Sequence, residues 1–137
     1  MSTSDFFLGP LPASERRREV WIQHAFGFIL FEDVRGLAIQ RLDPNSDATA
    51  RAAALKAIDD TLSGLMMVID GVSGGLCNSE YVVHLETKAC LARIASGEVT
   101  YSLDLSNGDG FRMGYHGWLE DDFGRDPVAI SKAPLAN

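Results

Sequence analysis

The sequence contains few of the residues that mark a disulfide framework, a metal site or a membrane span. Its 137 residues include two cysteines and three histidines, and Cys77 and Cys90 lack the spacing of zinc ligands. The densest apolar run covers residues 25–31, far short of the roughly 20 residues that a membrane helix needs. No basic segment followed by an apolar one opens the chain, as a secretory signal would require. We therefore expect a soluble, cytoplasmic protein with two unpaired, partly buried thiols, no metal site and no cofactor.

Positive charge is also scarce. Lys and Arg number 12 against 19 for Asp and Glu, so the formal net charge is −7. A protein that neutralises nucleic-acid phosphates or anionic lipid needs an excess of basic residues. The charge balance therefore predicts that neither nucleic acid nor a membrane is a partner.

What the chain does contain is ordinary globular composition, with 46% hydrophobic and 23% charged residues. A length of 137 residues fits one domain. We expect a single globular domain over 1–137, with an irregular arm over 1–12 and a loose tail over 128–137. Phe6, Phe7 and Leu8 are apolar enough to tuck the arm onto the body.

Helical periodicity dominates the first half of the chain. Ser14 is a plausible N-cap for a helix that extends to about Leu42, with a bend or break at Gly36. A second helix follows a turn at residues 43–46, capped by Asp43 or Ser46, and ends at Gly71. Its predicted core residues recur at steps of three and four and should pack against Trp21, Phe28 and Phe31; they are Leu55, Ile58, Leu62, Leu65 and Ile69.

From Tyr81 the apolar period changes to two, which favours strands over residues 81–91 and 99–105, with a hairpin loop at 95–98. A helix over 79–94 is the competing interpretation. Phe111, Met113 and Tyr115 alternate in the same way and predict a third strand. The fold class that follows is α+β, with an N-terminal helical hairpin packed on a small antiparallel sheet of about three strands.

Two short motifs match functional signatures only in part. Residues 71–75 spell the G-x-S-x-G of a nucleophile elbow, but a helix precedes them where a strand is needed, so we interpret Ser73 as a turn residue. Residues 104–115 resemble a calcium loop but lack its ligand at position 5, its glycine at 6 and its glutamate at 12. We interpret the start of that segment as a tight acidic turn.

The most unusual stretch covers residues 111–125. It combines four aromatic residues, a histidine, three adjacent carboxylates and glycines, within a segment (98–127) that has seven acidic and two basic residues. Amphipathic aromatics and a strong local charge are typical of a surface that docks a protein of opposite charge. The candidate binding residues are Arg112, Tyr115, His116, Trp118, Glu120, Asp121 and Asp122.

The sequence thus predicts a non-enzymatic interaction protein that presents an acidic, aromatic C-terminal face to a protein partner, with a basic protein as the partner of complementary charge. Three alternatives stay open. The segment can instead cap the core with Trp118. It can form a small catalytic or ligand pocket around His116 and the carboxylates of residues 120–122. Association with a second copy of the chain is also open, because composition does not decide oligomeric state.

Overall fold

The computed structural model describes residues 2–71, 75–107 and 111–133. A short 3₁₀ turn (Thr3–Asp5) leads into β1 (Phe6–Leu8). The helices are α1 (Glu15–Ile29), α2 (Leu37–Gln40), α3 (Ala48–Ile69) and α4 (Phe111–Leu119). The remaining strands are β2 (Leu76–Cys77), β3 (Val82–Val83), β4 (Lys88–Ala92), β5 (Val99–Asp104) and β6 (Ala129–Ser131). The expected α+β class is confirmed.

The first predicted helix is interrupted by one wide segment. Ser14 caps α1 as expected, because its hydroxyl accepts a hydrogen bond from the Arg17 amide at 3.2 Å. Beyond Ile29 the chain continues as a π-helix (Leu30–Gly36) before α2. The bend predicted at Gly36 therefore corresponds to the end of this π segment, and π turns occur where a helix absorbs an extra residue, often at functional sites.

The second predicted helix is present, but its cap and its buried face differ from the expectation. Asp47, rather than Asp43 or Ser46, caps α3, since its carboxylate accepts from the Ala50 amide at 2.8 Å. Asp43 instead closes the preceding turn by accepting from the Asn45 amide. The helix ends as predicted, with Gly71 at φ 73°, which an L side chain rarely adopts.

The buried positions of α3 are Leu62, Met66 and Ile69. Ile58 and Leu55 are only partly buried, and Leu65 is 42% exposed, so the prediction of a buried Leu65 is wrong. The reason is that α3 packs against the π segment and α4, and these contacts select the face of residues 62, 66 and 69.

The strands form three separate two-stranded antiparallel sheets, β1–β6, β2–β3 and β4–β5, so the expected single sheet of about three strands is corrected. The strand interpretation of residues 81–91 holds over β3 and β4, and the loop at 95–98 joins β4 to β5. The third strand predicted at Phe111, Met113 and Tyr115 is wrong, because that segment is α4. A helical spacing of Phe111, Tyr115 and Trp118 coexists there with the alternation.

Two segments near the chain ends, β1 and β6, pair with each other within the ranges for which the sequence predicts an irregular arm (1–12) and a loose tail (128–137). Phe6 pairs with Ser131 and Leu8 with Ala129, and the Gly9 amide donates to the Val128 carbonyl at 3.0 Å. The Phe6 ring packs edge-on against Phe28, with ring centres 5.0 Å apart. The sheet thus fastens both ends of the described chain to α1.

Cys77 and Cys90 are free thiols as expected, but both are exposed rather than partly buried. Within the described ranges, no helix combines the length and apolar character needed to cross a membrane. Ser73 lies outside the described residues, as do residues 108–110 of the acidic turn, so both interpretations remain predictions.

Candidate functional site

Helix α4 directs Tyr115 and Trp118 inward. Tyr115 is 4% exposed and Trp118 is fully buried, because the helix packs against both α1 and α3. Residues three apart lie on one helix face, so the same turn that buries both rings leaves His116 exposed. The side chain of Arg112 lies outside the described residues.

Trp118 is held by close contacts on several sides. A Cβ atom at Gly27 of α1 would lie 2.3 Å from the ring, so only glycine admits the indole there. The indole Nε1 donates a hydrogen bond to His24 Nδ1 at 2.9 Å, and the Phe123 ring stacks on the indole with an interplanar angle of 5°. Trp118 therefore fixes the end of α4 against α1.

Tyr115 belongs to a polar group that joins three elements. Its hydroxyl donates to Asp59 Oδ1 of α3 at 2.8 Å, and Arg35 Nε of the π segment donates to the same oxygen at 2.7 Å. Burial acts to raise the pKa of Asp59, but the hydrogen bonds from Arg35 and Tyr115 outweigh it and hold the pKa below its ordinary value. Burial, followed by the bond to Asp59, raises the pKa of Tyr115.

The turn after α4 carries the three adjacent carboxylates. The Asp122 amide donates to the Gly117 carbonyl at 2.8 Å and the Asp121 amide to the Trp118 carbonyl at 3.0 Å, which is the Schellman pattern of a helix end. Asp121 takes the left-handed position of that motif at φ 62°, where glycine is usual. Glu120, Asp121 and Asp122 are all exposed.

Other carboxylates reach the same surface from distant parts of the sequence. Partial burial is the largest influence raising the pKa of Glu32 on the π segment. Further increases in that pKa come from the nearby negative charges of Asp33, Asp121 and Asp5. Each of these three aspartates therefore lies close enough to Glu32 to disfavour its charged form. We call residues 5, 32, 33 and 120–122 the acidic surface.

The Glu32 side of the acidic surface borders a cleft of about 360 Å³, whose lining includes Asp5, Glu32 and Asp33. Asp33 accepts hydrogen bonds from the amide and hydroxyl of Thr3, and these bonds lower its pKa. In the part of the chain that the structure describes, no ion pair involves Glu32, Asp33 or Asp121. The acidic surface therefore carries negative charge that no side-chain ion pair among the described residues neutralises.

Sequence reasoning located residues 120–122 but missed Asp5, Glu32 and Asp33. Nearly 90 residues separate Glu32 from Asp121 in the sequence, so no local motif joins them. The one available signal was the adjacent acidic pair at residues 32–33 within an otherwise apolar helical segment.

The chemistry open to this arrangement is electrostatic. Among the described residues, no group of three or more His, Cys, Asp or Glu side chains has the geometry to hold a metal ion. His116 is exposed and does not line the cleft beside Glu32. Comparisons with protein-family models, curated proteins and solved structures find no match to this chain. Geometry and charge alone therefore support the functional proposal.

Proposed function

We propose that the protein is a non-enzymatic interaction protein whose acidic surface docks a basic protein partner. The observation that carries the proposal is the convergence of carboxylates from the N-terminal turn, the π segment and the turn after α4, none of which forms an ion pair with a basic side chain among the described residues. A concentrated charge of one sign steers a partner of opposite sign and suppresses wrong partners.

Asp121 occupies a Schellman position where glycine is usual. Aspartate is one of the few other residues that adopt the left-handed region readily. In this proposal Asp121 is present for its charge, which glycine would not supply.

The buried aromatics enter the proposal as positioning residues. Trp118 and Tyr115 lie in the core, so they hold α4 and its acidic turn in place while the carboxylates meet the partner. The exposed His116 adjoins this turn and belongs to the docking surface. Arg112 remains a candidate from the sequence.

Two sequence expectations belong to this proposal. The free, exposed thiols of Cys77 and Cys90 suit a reducing compartment such as the cytoplasm. The net charge of −7 favours a protein partner over nucleic acid.

The test compares the wild-type chain with Glu120→Gln, Asp121→Asn and Asp122→Asn combined. The matched control, Glu15→Gln, Asp60→Asn and Glu98→Gln, removes the same charge from exposed positions outside both proposed binding surfaces. Each immobilised chain is exposed to the same cell lysate, and association rates with retained basic proteins are measured across salt concentrations. We expect the patch variant alone to lose a basic protein, with slower association and a difference that shrinks as salt rises.

Equal loss in both variants would mean that net charge, not this surface, governs binding. Unchanged retention by a folded patch variant would show that the carboxylates serve solvation only. Either result would overturn the proposal.

A further inference from the structure

A second surface of the chain is apolar. Every residue from 75 to 86 is exposed, and this segment forms a hairpin in which Leu76 pairs with Val83 and Cys77 with Val82. The Asn78 side chain orders its turn by accepting from the amides of Glu80 and Tyr81. Five large apolar side chains are 60–78% exposed; they are Leu76, Tyr81, Val82, Val83 and Leu85. We call residues 76–85 the exposed hairpin.

Such a hairpin is unfavourable in isolation. Its five apolar side chains are exposed on both faces of the hairpin, because successive residues of a strand point to opposite faces. A lone two-stranded hairpin is marginal in water, and β2 and β3 have two residues each. The exposed hairpin is therefore as apolar as a buried strand pair, but no other element among the described residues buries it.

The complementary feature is a cleft of about 280 Å³ beside α1. One side is Leu8 of β1, and the other is formed by four consecutive residues of β4, Lys88 to Leu91. Its floor is the apolar face of α1; the residues are Trp21, Ile22, Ala25, Phe26 and Ile29. We call this cleft the strand gap.

The strand gap follows an open strand edge. Side chains alternate across a strand, and Ala89 is buried while Lys88 and Cys90 are exposed. A cleft touched by all of them must therefore run along the edge of β4 rather than over one face. The opposite edge of β4 pairs with β5, and β1 pairs with β6. A strand placed in the gap would therefore lie beside the unpaired edge of β4, with Leu8 of β1 lining the same cleft.

We propose that the strand gap binds residues 81–85 of a second copy of this chain, in a reciprocal exchange that makes a twofold dimer. The hairpin ends a few residues before β4, so each copy presents donor and acceptor close together. Glu80 and Glu86 flank the donated strand, and Lys88 lines the gap, so local charges favour the pairing. Backbone pairing along an open edge supplies affinity, and apolar side chains over the α1 floor supply specificity.

Each copy donates one strand and accepts one, so the exchange would cover the apolar side chains of both hairpins. A twofold exchange also closes on itself and leaves no open edge for further growth.

The first test is the oligomeric state at about 100 µM chain, a concentration at which a micromolar dimer is populated. Sedimentation equilibrium should give twice the chain mass of 14.9 kDa. Val83→Glu should weaken the dimer roughly tenfold or more, because it places a charge in an apolar interface. Ile94→Glu makes the same kind of change at a fully exposed position of the β4–β5 loop and should leave the dimer intact.

The second test separates reciprocal exchange from other dimers. Leu8→Lys alters the gap and should also dissociate the dimer, yet a mixture of the Val83→Glu and Leu8→Lys chains should form heterodimers, since each retains one intact half of the exchange. Circular dichroism melts verify that both variants fold. Amides of residues 81–85 should gain protection from hydrogen exchange as protein concentration rises.

Three results would overturn the proposal. A monomer whose hairpin amides exchange freely would leave the gap empty. A monomer with protected hairpin amides would place the strand of the same chain in the gap. A dimer unaffected by Val83→Glu would use another surface.

Discussion

Replacing Gly27 by alanine tests the packing that fixes the end of α4. Gly27 lies in α1 and is buried, and an added Cβ would lie 2.3, 2.4 and 2.5 Å from three atoms of the Trp118 ring. In a helix interior, alanine is favoured over glycine by about 1 kcal/mol. Helix propensity and packing therefore predict opposite signs for this substitution.

The destabilisation from overpacking should exceed the gain in helix propensity. The Trp118 ring is fully buried, bonded to His24 and stacked on Phe123, so it has no free direction in which to move. Overpacking a tight core costs about 1–3 kcal/mol, and three contacts below 2.6 Å correspond to the upper part of that range. Subtracting the gain in propensity leaves a net loss of about 2 kcal/mol in the free energy of unfolding.

Gly64→Ala is the matched control. Gly64 lies in α3, and an added Cβ there meets no atom within 4 Å, so only propensity acts and stability should rise by about 1 kcal/mol. Urea unfolding followed by tryptophan fluorescence measures both variants under one set of conditions. A Gly27→Ala protein as stable as the wild type, or as stable as Gly64→Ala, would refute the close seating of Trp118 against α1.

Three further predictions concern other parts of the fold. Leu62→Ala should cost roughly 3 kcal/mol in urea melts, whereas Leu65→Ala, at a 42% exposed position, should cost under about 1 kcal/mol. Asp59→Asn should lower the free energy of unfolding by about 1–2 kcal/mol at neutral pH. Because the folded pKa of Asp59 is lowered, this stability difference from the wild type should shrink in melts as the pH falls below about 4. Gly9→Ala, whose Cβ would lie 2.0 Å from the Pro127 carbonyl oxygen, should speed hydrogen exchange in β1 without unfolding α3.

Local signals were sufficient for the helices of the first half of the chain and for the ends of several elements. The Ser14 cap, the stop at Gly71 and the loop at 95–98 each follow from a residue acting on its own backbone neighbours. Such effects are short in range, so they can be predicted from a single sequence.

Pairing between distant segments could not be predicted from the sequence. The chain ends join as β1 and β6 across more than 120 residues, and residues 6–8 and 129–131 carry no turn signal that links them. α4 was misread because Phe111, Met113 and Tyr115 satisfy a period of two while Tyr115 and Trp118 satisfy a helical period. Burial between α1 and α3 decides the conflict, and only the fold supplies that information.

The two proposed surfaces should respond to salt in opposite ways. Docking of a basic partner on the acidic surface is an attraction between unlike charges, so salt weakens it. Two copies that each carry a net charge of −7 repel one another, so salt strengthens an association driven by apolar burial. A basic partner lowers that repulsion by neutralising part of the charge. Linkage then requires that partner binding and dimerisation favour each other at low ionic strength, and that this coupling fades as salt screens both interactions.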